Sequence, residues 1–228
     1  MSEGTFDRIA DVYDESLPPH VVEHYLDKRV RFISEHCEVG RGLDVGCGTG
    51  VLAQRLVAER FRMTGVDPSQ GMLDVMAERA PDVEGIRASG TELPFEDAGF
   101  DLVLTVAALH HIAEPAAVRE TLVEMARVLR PGGRIVVWDH NPRNPYWKRL
   151  MARVPQDDGS ERLIGEAEVL DGLRAGGAHP LLSVQLGLVP DFAPPSLLPL
   201  AAAIERLAER TPVARRLCAH NVVVATRG

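Results

Sequence analysis

The stretch Leu43-Asp44-Val45-Gly46-Cys47-Gly48-Thr49-Gly50 decides the fold of this chain. A short apolar strand runs into three closely spaced glycines, and a helical pattern starts at Val51. Glycines let a ligand approach the backbone closely. The N-terminus of the following helix offers unpaired N–H groups and partial positive charge. The stretch therefore predicts a strand–loop–helix unit that binds a nucleotide-like or anionic ligand.

The spacing of the glycines narrows the choice of ligand. A dinucleotide fingerprint reads G-x-G-x-x-G/A, and its third glycine position falls on Val51 here, which disfavours pyrophosphate binding. A P-loop is excluded because G-x-x-x-x-G-K-[ST] does not occur in the chain. Asp67 ends the next predicted strand, where a carboxylate can accept hydrogen bonds from both ribose hydroxyls. Asp67 thus indicates a ribose without selecting a particular cofactor.

Strand and helix patterns alternate outward from this loop. The predicted strands are 42–45, 62–66, 83–88, 100–106, 134–139, 181–188 and 221–226. The predicted helices are 51–60, 69–80, 116–129, 166–175 and 197–210, and a helical arm broken at Pro18-Pro19 covers Thr5–Cys37. The motif Arg130-Pro131-Gly132-Gly133 is predicted to stop a helix. Such alternation predicts an α/β protein with a parallel sheet and right-handed crossovers.

No domain boundary is visible, so the sequence predicts a single domain over residues 1–228. Its expected parts are the helical arm or lid 1–37, a cofactor-binding half 40–140 and a substrate-side half 141–228. The polar, proline-bearing stretch 141–161 is predicted to be an active-site cover or a surface loop.

Composition excludes several classes of protein. The 228 residues carry 33 acids and 25 lysines and arginines, and the net charge of −8 argues against a nonspecific nucleic-acid binder. Three dispersed cysteines, Cys37, Cys47 and Cys218, indicate no disulfide framework. With no signal peptide or membrane helix in the pattern, the sequence predicts a cytoplasmic protein. Lysine occurs at Lys28 and Lys148 alone, which hints at a bacterial source of high GC content.

Five segments in order resemble the class I S-adenosylmethionine-dependent methyltransferases, and the type 11 group in particular. The resemblance is close over residues 40–140 and looser over Phe6–Asp14 and 166–178. The segments are Leu43–Gly50, Gly65–Leu73 with its Gly-Val-Asp-Pro-Ser start, Leu93–Asp101, Leu109-His110-His111-Ile112 and Leu129–Gly133.

The resemblance implies a Rossmann-like sheet of seven mostly parallel strands with an antiparallel last strand, helices on both faces, and S-adenosylmethionine as cofactor with S-adenosylhomocysteine as product. It implies that Asp44 reaches the methionyl amino group, that Asp67 holds the ribose and that Met72 packs on the adenine. Family members place an acid near the adenine amine, but Ser89 stands at that position here. The remaining expected cofactor contacts are Tyr13, Gly46, Cys47, Gly48, Pro68, Gly90, Thr91 and Val106.

The chemistry needs alignment of nucleophile, methyl carbon and sulfur, and an oxygen nucleophile can also need a base. Candidate bases lie at the carboxyl ends of the fourth and fifth strands, where open α/β sheets place ligands. We predict that His110 is the base and Asp139 its orienting carboxylate, with His111 and His140 as the next candidates. The sequence thus predicts metal-independent O-methylation of a small-molecule acceptor.

Several alternatives remain open at this point. They are C-methylation of a quinone-like or lipid-like acceptor, cofactor binding without turnover, and a dehydrogenase. The motif His20-Val21-Val22-Glu23-His24 matches an inverted zincin, but a zincin has no use for a nucleotide loop. The Asn/Asp-Pro-Pro-Tyr motif of base and glutamine methyltransferases is replaced by Val106-Ala107-Ala108-Leu109. We therefore expect no nucleic-acid or membrane partner, and a monomer or homodimer.

Overall fold

A computed structural model describes residues 3–15, 17–151 and 161–228, so residues 152–160 of the predicted cover or loop lie outside the described part. Its sheet has seven strands in the order β3-β2-β1-β4-β5-β7-β6. Strand β7 is antiparallel to both β5 and β6, and the other pairs are parallel. The predicted fold class is confirmed. The strands are β1 Arg41–Val45, β2 Arg62–Asp67, β3 Glu84–Arg87, β4 Phe100–Val106, β5 Leu129–His140, β6 Ala178–Leu186 and β7 His220–Arg227.

Helices cover both faces of the sheet because alternate residues of each buried strand point to opposite sides. Val103 of β4 belongs to one apolar core, with α5 and α7, while Leu102 and Leu104 belong to the other, with α2, α3 and α4. The helices are α1 Glu3–Ile9, α2 Pro19–His36, α3 Val51–Ala58, α4 Gln70–Arg79, α5 Pro115–Val128, α6 Trp147–Leu150, α7 Glu166–Ala175, α8 Leu198–Arg210 and α9 Pro212–Arg215. No helix in the described ranges is both long and apolar enough to cross a membrane.

Two strands begin three or more residues earlier than predicted. Strand β5 starts at Leu129, directly after α5, and runs through Pro131, Gly132 and Gly133, which the sequence predicted to be a helix stop. Leu129 pairs with Phe100, and the register with β4 then shifts, so the proline and glycines occupy an irregular section where they cost little pairing. Strand β6 likewise starts at Ala178 rather than 181, with an irregularity at Pro180.

The arm before the sheet consists of α1, a 3-10 helix over Ala10–Glu15, and α2. Two carboxylates hold α1 and the 3-10 helix to the cofactor half. Asp7 accepts hydrogen bonds from Ser69 Oγ at 2.6 Å and Gly71 N at 2.9 Å, at the N-terminus of α4. Asp14 accepts from Thr49 Oγ1 at 2.9 Å and pairs with Arg79. The arm therefore lies over the carboxyl ends of β1 and β2.

Candidate active site

The glycine loop is fixed by backbone hydrogen bonds and by backbone conformations that favour glycine. Gly46 N and Cys47 N both donate to Val66 O, at 2.8 and 3.1 Å. Gly46 has φ +77°, and a Cβ there would lie 2.5 Å from the Ala108 Cβ. Gly48 has φ +54°, and a Cβ on it would meet nothing within 4 Å. The loop thus packs tightly on one side and leaves open space for a ligand on the other.

Two adjoining cavities open at this edge of the sheet, with volumes of about 490 and 610 Å³. The smaller one is lined by Asp67, Pro68, Met72, Ser89, Gly90 and Thr91. The larger one is lined by Asp44, Cys47, Val106, His110 and His140. Tyr13, Gly46, Gly48, Ala107 and His111 line both. Every sequence-predicted cofactor contact thus borders one of the two cavities, while their individual roles stay predictions.

In the smaller cavity, Asp67 is held in place by backbone groups. Its two carboxylate oxygens accept hydrogen bonds from Gly48 N and Ser69 N, each at 2.9 Å. Burial raises the pKa of Asp67, and these two hydrogen bonds act against that rise. Ser69 caps α4 by accepting a hydrogen bond from Met72 N. Oriented carboxylate oxygens at the end of β2 suit a ribose diol.

The position expected to carry an acid near the adenine amine carries two hydroxyls instead. Ser89 Oγ and Thr91 Oγ1 lie 2.8 Å apart, and Ser89 Oγ also accepts from Thr91 N at 3.2 Å. This turn borders the smaller cavity. Hydroxyl and backbone groups are therefore the polar partners that this edge offers to a ligand.

In the larger cavity, Asp44 is a buried carboxylate with a shifted protonation equilibrium. Burial and the neighbouring Asp67 raise the pKa of Asp44 to about 7, and Arg29 acts in the opposite direction. A buried carboxylate of this kind favours a cationic ligand that restores its ionised form. The methionyl ammonium group has the required charge.

His110 and Asp139 form the predicted pair. His110 Nδ1 lies 2.8 Å from Asp139 Oδ1, and both residues are almost fully buried. Burial opposes ionisation of Asp139, yet His110 and the backbone N–H of His140 hold the pKa of that carboxyl below its usual value. An ionised Asp139 favours the His110 tautomer that carries its proton on Nδ1, which leaves the lone pair on Nε2. His110 lines the larger cavity, whereas Asp139 lies behind it.

Aromatic rings surround this pair. The ring of His140 stacks between His110, at a centroid distance of 4.0 Å, and Trp147, at 3.5 Å. Burial and His110 lower the pKa of His140 well below its usual value, so this imidazole is neutral. His111 packs edge-on against Phe6 of the arm at 5.0 Å. His110, Asp139 and His140 also offer ligand atoms within 4.8 Å of one another, which is the spacing of a three-ligand metal site.

Sequence reasoning missed several residues of the larger cavity, above all Arg29 of α2. Its guanidinium is buried close to Tyr13, Tyr25 and Asp44, and burial lowers its pKa. Among the described residues, no acceptor bonds its buried Nε. A buried cation facing a cavity favours an anionic ligand group. Helical spacing on α2 marks this position as inward-facing, but no local motif distinguishes it from a core position.

The competing zincin motif does not converge on one point. His20 Nε2 contacts Ala193 O at 2.7 Å, His24 Nε2 contacts Glu205 Oε1 at 2.9 Å, and Glu23 pairs with Arg55. These three side chains bind different parts of the fold. Helix α2 instead contributes Val21, Val22, Tyr25, Leu26 and Arg29 to the wall of the larger cavity.

Comparison with known proteins agrees with this architecture. The fold matches a crystal structure from Thermotoga maritima that is described as an S-adenosylmethionine-dependent methyltransferase and possible histamine N-methyltransferase. The match covers 99% of each chain, with a TM-score of 0.74 and 21% sequence identity. Residues 43–137 match the type 11 family model described as "Methyltransferase domain". The fold is that of the class I methyltransferases.

Two curated relatives illustrate the range of the similarity. An uncharacterized methyltransferase of Mycobacterium tuberculosis is 34% identical over 145 residues, which cover 63% of this chain and 54% of that protein. A demethylmenaquinone methyltransferase of Clavibacter sepedonicus is 43% identical over 113 residues, 48% of this chain and 45% of that protein. The chain thus spans about half the length of these relatives. Residues 43–137 match the methyltransferase-domain family, and this similarity supports S-adenosylmethionine as the cofactor.

Proposed function

We propose that the protein transfers the methyl group of S-adenosylmethionine to an oxygen atom of a small-molecule acceptor. The observation that carries this proposal is the buried His110–Asp139 pair, 2.8 Å apart, whose His110 lines the larger cavity. A base at this position would stand beside the junction of the two cavities, where a bound sulfonium methyl group would face an acceptor.

The cofactor would lie across both cavities. Its adenosine would occupy the smaller one, with the ribose on Asp67 and the adenine between Met72 and the Ser89–Thr91 turn. The methionyl end would pass Gly46 and Gly48, where its ammonium group would meet Asp44 and its carboxylate would meet Arg29. This placement matches each charged end of the cofactor with an opposite charge and supports the assignment of the larger cavity to the acceptor.

The reaction would be an in-line displacement. S-adenosylmethionine would supply the methyl group and leave as S-adenosylhomocysteine with the carbon–sulfur electron pair, while His110 Nε2 would take the proton that the attacking acceptor oxygen loses. Asp139 stabilises the imidazolium through Nδ1. Such a base contributes roughly 10²–10⁴-fold to the rate.

A second candidate is C-methylation of a reduced quinone, which is favoured by the demethylmenaquinone methyltransferases among the relatives. The same base would serve, because deprotonating a ring hydroxyl makes the neighbouring ring carbon nucleophilic. The wall of the larger cavity carries many apolar side chains, which suits a ring system. The two candidates differ in the atom that receives the methyl group.

The deciding experiment is S-adenosylhomocysteine release with a panel of phenols, sugars and reduced naphthoquinones, followed by NMR of the product. An O-methyl resonance supports the first candidate and a C-methyl resonance the second. Tight cofactor binding with no product from any acceptor would favour a non-catalytic binding protein.

We further propose that the reaction is metal-independent, because Asp139 Oδ1 already accepts from His110 Nδ1 and from His140 N at 2.6 Å. Activity should persist after exhaustive EDTA treatment. Loss of activity that Mg²⁺ or Zn²⁺ restores would instead assign the His110–Asp139–His140 cluster to a metal.

A further inference from the structure

Helix α8 buries an acidic residue and exposes a row of apolar side chains, which is the reverse of an ordinary surface helix. Glu205 is 1% exposed and Ala208 is 9% exposed, while Leu200, Ile204 and Leu207 are 51–69% exposed together with Leu197. Residues 200, 204 and 207 share one face at helical spacing. Surface helices normally turn such a stripe toward the core, and an exposed apolar stripe of this kind marks a candidate interaction surface.

The inward face of α8 is held by charge. Glu205 pairs with His24 and Lys28 of α2 and accepts hydrogen bonds from Leu188 N and Val189 N, while Glu209 pairs with Lys28. Both acids of the segment 195–217 are therefore turned inward. This arrangement fixes the orientation of the helix and with it the outward position of the apolar stripe.

The outward side of the same segment is basic. Arg206 and Arg210 of α8 lie exposed on the flank of the stripe, and the exposed Arg216 follows α9. Within the described part of the chain, Arg206, Arg210 and Arg216 form no ion pair. The chain as a whole carries a net charge of −8. An anionic surface would thus attract this face and repel the rest of the molecule, which orients the encounter.

The basic, apolar face also reaches the mouth of the larger cavity. Phe192 precedes the segment and Leu217 ends it. Both line that cavity, although they are 72% and 54% exposed. Phe192 contacts the ring of Tyr146 on the same rim, at a centroid distance of 6.0 Å. Apolar surface is therefore present from the α8 stripe to the entrance of the cavity.

From these observations we propose that α8 and α9 dock the protein on an anionic lipid bilayer and that the acceptor is an amphiphile drawn from that bilayer through the Phe192–Leu217 entrance. The second part rests on the proposed function. An exposed apolar stripe flanked by arginines is the pattern of a helix that lies in the membrane interface without crossing it. A second copy of the chain fits less well, because a self-complementary contact through this face would bring two clusters of arginine together. The proposal replaces the sequence-based expectation of no membrane partner.

The test is sedimentation of the full chain with vesicles of phosphatidylcholine alone or mixed with phosphatidylglycerol. We expect binding to the anionic vesicles that weakens with salt. The double variant Arg206→Gln/Arg210→Gln should lower the partition coefficient by about 30-fold at low salt. The double variant Ile204→Asp/Leu207→Asp should lower it by at least about tenfold at any salt concentration.

Two matched controls sit elsewhere on the surface. Val39, 58% exposed ahead of β1 and so at the opposite end of the sheet from the cavities, is changed to Asp, and exposed Arg119 of α5 is changed to Gln. Both should bind vesicles like the unchanged protein, and all variants should bind S-adenosylhomocysteine with unchanged affinity in calorimetry.

Three outcomes would overturn the docking surface. They are no binding to either vesicle, equal losses in the control variants, or a dimer in analytical ultracentrifugation that Ile204→Asp/Leu207→Asp dissociates without vesicle binding. Vesicle binding by a chain that never converts S-adenosylmethionine to S-adenosylhomocysteine would leave the surface standing and reject the methyltransferase function.

Discussion

At the scale of single residues, the site depends on pairs of groups that set each other's protonation. Asp139 stays ionised despite its burial because His110 and a backbone N–H lie against it. The pKa of Asp44 is raised to about 7 because burial and Asp67 oppose its ionisation, while Arg29 favours it. The pKa of Asp139 is lowered, which suits a carboxylate that orients a base. The pKa of Asp44 is raised, which suits a carboxylate that ionises when a cationic ligand binds.

The base can be tested by His110→Ala, which we expect to lower turnover by roughly 10²–10⁴-fold. Asp139→Asn should lower it less, because the imidazole remains but loses its orienting carboxylate. In both variants the affinity for S-adenosylhomocysteine should stay within about twofold, because the altered side chain serves the acceptor and not the cofactor. If His110 is only a packing residue, the rate per folded molecule stays unchanged while the melting temperature falls. His111 and His140 are then the next candidates.

The pKa of Asp44 predicts a pH dependence of cofactor binding. The raised value means that the carboxylate needed by the methionyl ammonium forms as the pH rises through about 7. Affinity for S-adenosylhomocysteine should therefore increase about tenfold from one pH unit below that value to one unit above, and then level off. Calorimetry across this range measures it. A flat profile in the unchanged protein would contradict the assignment.

Asp44→Asn supplies the matching control for that titration. It should bind S-adenosylhomocysteine more weakly and without the pH dependence. The stability of the cofactor-free protein depends on pH in the opposite direction from the affinity for the cofactor. A carboxyl whose pKa is raised by folding weakens the fold as the pH rises from its ordinary pKa to the raised value. The cofactor-free Asn variant should therefore melt at a higher temperature than the unchanged protein at alkaline pH.

At the scale of elements, the first part of the arm, α1 and the 3-10 helix over Ala10–Glu15, is held to the cofactor half by the carboxylates of Asp7 and Asp14. Asp7 binds the N-terminus of α4, and the pKa of Asp7 is lowered by the Ser69 hydroxyl and the Gly71 N–H. Phe6 adds an edge-on contact with His111. Few contacts hold this segment, and it lies over the smaller cavity, so its opening can admit the cofactor and its closure can exclude water.

The arm can be followed by trypsin cleavage after Arg8. We expect slower cleavage with S-adenosylhomocysteine bound, because the ligand would fill the space beneath Phe6 and Tyr13. Asp7→Ala should cleave faster than the unchanged protein without ligand, while Asp11→Ala, an exposed acid on the same arm, should not. Equal cleavage with and without ligand would contradict a lid.

At the scale of the whole molecule, most of the fold could be predicted from the sequence, because glycine punctuation and apolar runs are local signals. The start of β5 could not, since Pro131 and Gly132 resemble a helix stop and only pairing of Leu129 with Phe100 makes them part of a strand. Arg29 and His220 were not predicted as site residues for another reason. They reach the larger cavity from α2 and β7, far from the glycine loop in sequence, so folding alone brings them there.

The cofactor assignment also has a consequence for the stability of the whole chain, because a ligand that spans both cavities would join the sheet, the arm and α2. At a concentration of S-adenosylhomocysteine about 100 times Kd, binding stabilises the folded state by about 2.7 kcal/mol. For a chain of this length that raises Tm by about 5–10 °C.

Asp67→Ala should lower that rise in Tm by at least half at the same ligand concentration. The loss of hydrogen bonds to a charged group weakens binding tenfold or more, at roughly 1.5–3 kcal/mol each. Asp74→Ala, an exposed acid on α4, is the matched control and should keep the full shift. NADH should give no shift, because Val51 stands where a dinucleotide site needs its third glycine. A shift with NADH as large as that with S-adenosylhomocysteine would point to a dinucleotide site instead. If Asp67→Ala keeps the full Tm shift with S-adenosylhomocysteine, the ribose does not bind at the end of β2.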